Sequence, residues 1–321
     1  MALWVVTESN VERGVRGNSE NGAFSDINLN TSVHELFSMM YNMGQGGESM
    51  KINKEILFEK KKNHEPIVMA TAYDCAMARF EEEAGVDVVL VGDSVGTNVL
   101  GYTSETEVTM FDMLHHCKAV VRGTSHAFCI VDMPYGAASD PFKALENGRL
   151  LIGAGADCVK IEGWGENKSI IECLSGNGID VCGHIGYNPQ IHGSKAKVFG
   201  KDEAQARELV KSAQIIQDAG AIMIVIEKVP SEVASLISEK CSIPIIGIGS
   251  GNGCDGQVLV VNDILGYGEK TFRHAKKYMD FRIEASGAIR NYCSEVRSRV
   301  FPGEANCVHI DESELRHLFK E

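Results

Sequence analysis

Val89-Leu90-Val91-Gly92-Asp93-Ser94 is a β-branched, apolar run that stops at a glycine and hands over to two polar side chains. A short run of this kind is the signature of a strand buried on both faces, as in a parallel sheet. Seven further runs follow the same rule: Ile67–Thr71, Phe128–Asp132, Cys158–Glu162, Val181–His184, Ile222–Glu227, Ile243–Ile248 and Val258–Val261. The quoted run itself starts at Val86, so the second strand is expected over Val86–Val91.

Between the runs lie amphipathic stretches with recognisable starts and stops. Thr109-x-x-Asp112 is an acidic form of the capping box, and Asp140-Pro141 places a carboxylate at N-cap and proline at N1. Gly155, Gly176 and Gly220 fall where helices should end. Strands alternating with helices indicate a parallel sheet, and a count of eight favours closure into a (β/α)8 TIM barrel over an open doubly wound sheet. The expected organisation is one barrel domain over residues 50–321, preceded by an N-terminal extension over residues 1–49. That extension is rich in Asn, Ser, Gly and Glu and reads as a mobile tail, with one short helix opened by Ser32-Val33-His34-Glu35 and ending near Gly44. Met50 offers a plausible second start.

Composition excludes several function classes. The net charge of −13, with no dense basic stretch, argues against nucleic-acid binding. The longest basic run, Lys60-Lys61-Lys62, reads as the solvated last turn of a helix. No apolar run approaches the ~18 residues that a membrane span needs. The ten cysteines lie singly, without a Cys-x-x-Cys pair, which points to a reducing cytoplasm.

The chemistry is expected at the C-terminal ends of the strands, where parallel barrels build their sites. Asp93 and Ser94 end the second run, Asp132 the third, Glu162 the fourth, His184 the fifth and Glu227 the sixth. Lys160 and Glu162 are two apart and share a face. Each alone reads as a turn or core residue; four carboxylates, a lysine and a histidine at equivalent places on five consecutive strands read as a site. Asp93, Asp132 and Glu162 are hard oxygen donors suited to magnesium. Lys160 would offset a substrate carboxylate or a developing enolate, and a metal chelating a 2-oxo acid would acidify the adjacent carbon. Glu227 would take that proton, its apolar lead-in raising its pKa if it is poorly solvated. Gly247-Ile248-Gly249-Ser250-Gly251 is either a phosphate cradle or a tight turn.

These residues, in this order, resemble those of the ketopantoate hydroxymethyltransferase (3-methyl-2-oxobutanoate hydroxymethyltransferase) family. The resemblance is carried by Thr71-Ala72-Tyr73-Asp74, Val91-Gly92-Asp93-Ser94-Val95-Gly96, Val159-Lys160-Ile161-Glu162-Gly163, Cys182-Gly183-His184-Ile185-Gly186, Glu227-x-Val229-Pro230, Asp255-Gly256-Gln257-Val258-Leu259-Val260 and Phe301-Pro302-Gly303-Glu304. It implies a barrel, a homo-oligomer (usually a decamer), and hydroxymethyl transfer from 5,10-methylenetetrahydrofolate to 3-methyl-2-oxobutanoate, giving 2-dehydropantoate for pantothenate and coenzyme A. It further implies that Asp93, Asp132 and Glu162 hold magnesium, that Asp93, Ser94, Asp132 and Lys160 contact the oxo acid, and that Glu227 accepts the proton, with His184 near the substrate. Two stretches depart from the family pattern. Residues 191–201 replace a longer loop with paired glycines, and the segment around Phe272-Arg273-His274-Ala275-Lys276 is altered. Both bear on the pocket mouth, which motivates a second reading: another magnesium-dependent, enolate-forming reaction on a different 2-oxo acid, of the phosphoenolpyruvate mutase/isocitrate lyase kind.

Overall fold

A computed structural model describes residues 51–193, 197–269 and 272–318. The expected tail and its Ser32–Glu35 capping box lie outside them. Helix α1 (Lys54–Lys62) leads into β1 (Ile67–Thr71), α2 (Cys75–Glu83), β2 (Val88–Val91), α3 (Met110–Val121), β3 (Phe128–Asp132), α4 (Pro141–Gly153), β4 (Cys158–Glu162) and α5 (Lys168–Gly176). There follow β5 (Val181–Gly186), α6 (Pro189–His192), α7 (Glu203–Asp218), β6 (Met223–Glu227), α8 (Ser231–Lys240), β7 (Ile245–Ile248), β8 (Gly256–Leu259), α9 (Val261–Leu265), α10 (Phe281–Arg297) and α11 (Glu312–Leu318). The eight strands are parallel, paired in chain order, and β8 closes on β1: a TIM barrel.

Alternation along each strand separates two cores. Outward residues such as Val89, Val131, Val159 and Ile224 pack under the helices. Inward residues, among them Met69, Leu90, Ile130, Cys158, Cys182 and Val225, fill the barrel in layers, and Leu57 of α1 plugs its lower end. Burying Leu57 contributes about 2 kcal/mol. The same inward face carries Asp132, Lys160, Glu162, His184 and Glu227 two or four residues further along, which lifts them above the apolar layers to the upper mouth.

The capping residues behave as expected. Thr109 and Asp112 form a reciprocal box, and the Asp140 carboxylate accepts from the N–H groups of Phe142 and Lys143. Several expectations need correction. The lysines of α1 are not simply solvated: Lys60 pairs with Asp87 (2.9 Å) and Lys61 with Asp255 (2.6 Å), each pair half-buried under the barrel floor. Lys51–Asp157 (2.6 Å) and Lys54–Asp180 (2.8 Å) extend the clasp, and these four aspartates each stand just before a strand. Strand β2 therefore begins at Val88, because the Asp87 carboxylate turns to accept from the N–H of Val68. Strand β8 runs two residues earlier than expected, since the Val261 N–H leaves the ladder to bond Thr71 Oγ1 (3.0 Å) and opens α9. Gly176 closes α5 as expected, and the left-handed turn that follows falls to Gly178 (φ 77°).

No helix separates β7 from β8, so the glycine segment after β7 resolves as a turn. Gly249 (φ 63°) and Gly251 (φ 80°) reverse the chain. Ser250 Oγ spends itself on the backbone, donating to Ile226 O (2.9 Å) and accepting from Val229 N (3.2 Å). Without a helix N-terminus behind it, the segment lacks the dipole that favours a phosphate.

Candidate active site

Strand register decides which of the predicted residues meet. Asp132 lies opposite Lys160, and Glu162 opposite His184. Opposed residues of parallel strands that share a face are neighbours. Accordingly Lys160 Nζ donates to Asp132 Oδ1 (2.7 Å) and lies 3.7 Å from Glu162 Oε1. His184 Nδ1 meets the same Glu162 oxygen at 3.0 Å, while its Nε2 points at Glu227 Oε2 from 3.6 Å. All five side chains are buried. The result is one arc of alternating charge, Asp132–Lys160–Glu162–His184–Glu227, across four strands.

Asp93 and Ser94 join the arc from the turn after β2. The Asp93 N–H donates to Asp132 Oδ2 (3.0 Å), so the two aspartates are held side by side. Gly92 leaves room for Ser94 at this bend: a Cβ there would stand 2.9 Å from Ser94 Oγ. Ser94 Oγ shares a hydrogen bond with the Tyr73 hydroxyl (2.9 Å), which Thr71 Oγ1 supports at 3.0 Å. Gly186 bears the second close approach, with φ 91° and Glu227 O only 2.2 Å from where a Cβ would sit.

Burial and charge set the protonation states. Burial, with Asp132 and Glu162 nearby, pushes the Asp93 carboxyl well above the usual range, against Lys160 and a bond from Gln190. Burial acts to raise Glu162 too, but the His184 imidazolium and the Lys160 ammonium hold it at about 2. Burial would lower His184, yet Glu162 and Glu227 bring it up to about 9, so it is a cation at neutral pH. Its buried Nε2 makes no hydrogen bond among the described residues, leaving a donor that faces Glu227. Glu227 departs from the sequence expectation. Burial does act to raise it, but His184 and Lys228 override this and its carboxyl lies below the ordinary value. The apolar lead-in describes only the strand; the deciding partners sit on β5 and on the next residue.

Two participants were not singled out from the sequence. Gln190, at the start of α6, donates through Nε2 to Asp93 Oδ2 (2.7 Å) and to Met133 O (3.0 Å), and through its backbone N–H to Glu162 Oε2 (3.1 Å). Lys228 Nζ lies 3.0 Å from Glu227 Oε1 and 4.0 Å over the Tyr187 ring. The only signals were their places beside Asn188-Pro189 and inside Glu227-x-Val229.

Among the described residues, no three His, Cys, Asp or Glu side chains form a ready-made metal cluster. The donor chemistry nonetheless fits a hard divalent ion. Asp93 and Asp132 are adjacent oxygen donors, and the upward push on Asp93 comes first from burial and then from the negative charge of Asp132 and Glu162, which a cation would offset. Both oxygens of Glu162 are already engaged, by His184 with Lys160 and by the Gln190 N–H.

A sequence profile described as ketopantoate hydroxymethyltransferase matches residues 51–304. The chain belongs to the ketopantoate hydroxymethyltransferase family. Proteins named 3-methyl-2-oxobutanoate hydroxymethyltransferase share its sequence along most of their length: 42% identity in a Geobacillus species (83% of this chain, 97% of that one). In Chloroflexus aurantiacus the identity is 43% (83% and 96%), and in Deinococcus radiodurans 44% (79% and 92%). The chain is accordingly an enzyme, a hydroxymethyltransferase by family. Among solved structures it is similar in fold to phosphonopyruvate hydrolase, crystallised with oxalate and magnesium (TM-score 0.53, 14% identity, 82% of this chain and 94% of that one). It is also similar to 2,3-dimethylmalate lyase, a PEP mutase/isocitrate lyase superfamily member (TM-score 0.51, 15% identity, 83% and 94%). No described helix of this hydroxymethyltransferase is long and apolar enough to cross a membrane.

Proposed function

We propose that residues 50–321 transfer a hydroxymethyl group from 5,10-methylenetetrahydrofolate to 3-methyl-2-oxobutanoate, giving 2-dehydropantoate for pantothenate and coenzyme A synthesis. The observation that carries this reading is the arc of buried, alternately charged groups ending in an ionised Glu227. Asp93 and Asp132 would hold magnesium, with Glu162 contributing its charge from the next strand. Magnesium so held would supply Lewis acidity toward the 2-oxo acid. Glu227 takes the proton from the carbon beside the carbonyl, and its Oε2, which makes no short contact, is the oxygen placed to do so. The Lys160 ammonium offsets the negative charge that grows on the substrate. The His184 Nε2–H gives a fixed donor beside it, and Ser94 a hydroxyl oriented by Tyr73. The test is ketopantoate formation by purified protein with magnesium, methylenetetrahydrofolate and the oxo acid. A folded protein that forms none refutes the assignment.

The same arc would serve an enolate-forming reaction on another 2-oxo acid. The departures at residues 191–201 and 272–276 favour keeping that second reading, and a panel of oxo acids assayed for magnesium-dependent proton exchange separates the two.

We also propose that the enzyme works as a homo-oligomer, a decamer by family. Supporting this, α10 has no buried residue, while Ile289, Tyr292 and Val296 form a solvent-facing apolar stripe. Sedimentation at micromolar concentration should give the decamer; a monomer there removes the proposal. All ten cysteines are unpaired, in keeping with a cytoplasmic site of action.

A further inference from the structure

Lys228 is the residue that the assigned chemistry leaves unexplained. It adopts φ 49°, a left-handed conformation that a lysine takes only under constraint, at a cost of about 1–3 kcal/mol. Its backbone is bonded on both sides: the N–H donates to Ile248 O (2.9 Å), and the carbonyl accepts from Phe199 N (3.0 Å). Its side chain lies over the Tyr187 ring at 4.0 Å. Tyr187 in turn stacks on His192 (5.8 Å between centroids), and His192 packs on Phe199 (4.5 Å), which returns to the Lys228 carbonyl. This closed circuit is built from the departing loop at residues 191–201. Its product is a single placement: Nζ 3.0 Å from Glu227 Oε1, with the side chain only 21% exposed.

We propose that Lys228 is a positioning residue for the proton acceptor, holding Glu227 by Oε1 so that Oε2 is presented to the substrate as the free, ionised oxygen. The proposal rests on Glu227 being that acceptor. Burial acts to protonate Glu227, and the cations of His184 and Lys228 oppose it. The titratable groups that face it are His184 on β5 (with Glu162 behind), Tyr187 above β5, Lys228 itself, and His274 across Gly249. Of these only His184 and Lys228 pair with the carboxylate, and His184 stands 3.6 Å off, beyond hydrogen-bond reach. The loop thus acts on the base through one ammonium.

The test compares wild type with Lys228→Met, Lys228→Gly and Lys228→Arg. The primary readout is the titration of Glu227 itself, followed by pH-difference infrared spectroscopy of the protonated-carboxyl band, with Glu227→Gln marking its component. Loss of an opposite charge at this distance should raise the midpoint by about one pH unit in the Met and Gly variants. Arg should restore it. The glycine variant removes the backbone strain, so it should melt no lower than the Met variant while titrating like it. A titration that stays at the wild-type midpoint in the Met and Gly variants overturns the proposal, and lowered melting without a shift would make Lys228 structural only. The acid limb of magnesium-dependent proton exchange on the oxo acid should move up with the carboxyl. If wild type shows no exchange, the oxo-acid reading falls, while the infrared titration still decides the role of Lys228.

Discussion

Replacing Lys160 with Met keeps the length of the side chain and deletes the one ammonium that Asp132 and Glu162 share. At 2.7 and 3.7 Å the gross attractions are about 6 and about 4 kcal/mol at an effective dielectric of ~20. Most of that is offset by the cost of dehydrating three ions, so the pair adds little over a hydrophobic replacement of the whole set. Removing one partner is different, because it strands the others. Asp93, Asp132 and Glu162 would remain buried with only His184 to balance them. The expected loss is about 3–5 kcal/mol at neutral pH in metal-free protein, or roughly 10 °C in melting temperature for a chain of this size. The sign with pH follows from the same charges. Stranded carboxylates have folded pKa values above their unfolded ones, so the variant's deficit is small below about pH 4 and grows as pH rises. Magnesium should recover part of the deficit, since it supplies the missing positive charge. The assay is urea unfolding of wild type and variant from pH 4 to 8, with and without magnesium. A deficit under about 1 kcal/mol at pH 7, or one that does not change with pH, would refute the electrostatic account of the arc.

Three further outcomes follow from the geometry. The folded pKa of His184, about 9 against an unfolded 6.5, means its contribution is complete below about pH 6.5 and lost as pH rises toward 9; the ~3 kcal/mol this represents should vanish from the stability-versus-pH curve of metal-free His184→Gln. Gly186→Ala places a Cβ 2.2 Å from Glu227 O at φ 91°, so it should cost at least ~2 kcal/mol and displace the base, with turnover falling more than oxo-acid affinity. Lys61→Met breaks the half-buried pair with Asp255 and its bond to Ser238 O on the floor, and should lower stability by about 1–3 kcal/mol while leaving kcat unchanged.

Strands β3 and β4 were legible to the residue because a short, largely apolar run led without a break into a charged terminus. Strand β8 was not, because it opens with Gly256, which has no side chain to signal a strand, and because its departure is caused by Thr71, 190 residues away. Strand β7 starts at Ile245, and the proline at 244, which lacks an N–H, gives the local reason. The six rim residues could be named since inward direction and strand end are both local properties. What they do to one another depends on register, which periodicity alone leaves open. Glu227 shows the difference: its own strand predicts an upward shift, and His184 with Lys228 reverses it. Gln190 and the floor lysines share this origin. Gln190 reaches Asp93 across 97 positions, and Lys61 reaches Asp255 across 194.

The central claim is that Glu227 removes a proton from a 2-oxo acid held beside Lys160 and the paired aspartates. The most direct measurement is deuterium exchange at C3 of 3-methyl-2-oxobutanoate in heavy water, followed by proton NMR, with magnesium and without folate. Wild type should exchange, and Glu227→Gln should slow the exchange by about 10²–10⁴-fold while still binding the acid. Exchange at the wild-type rate in the Gln variant would contradict the account.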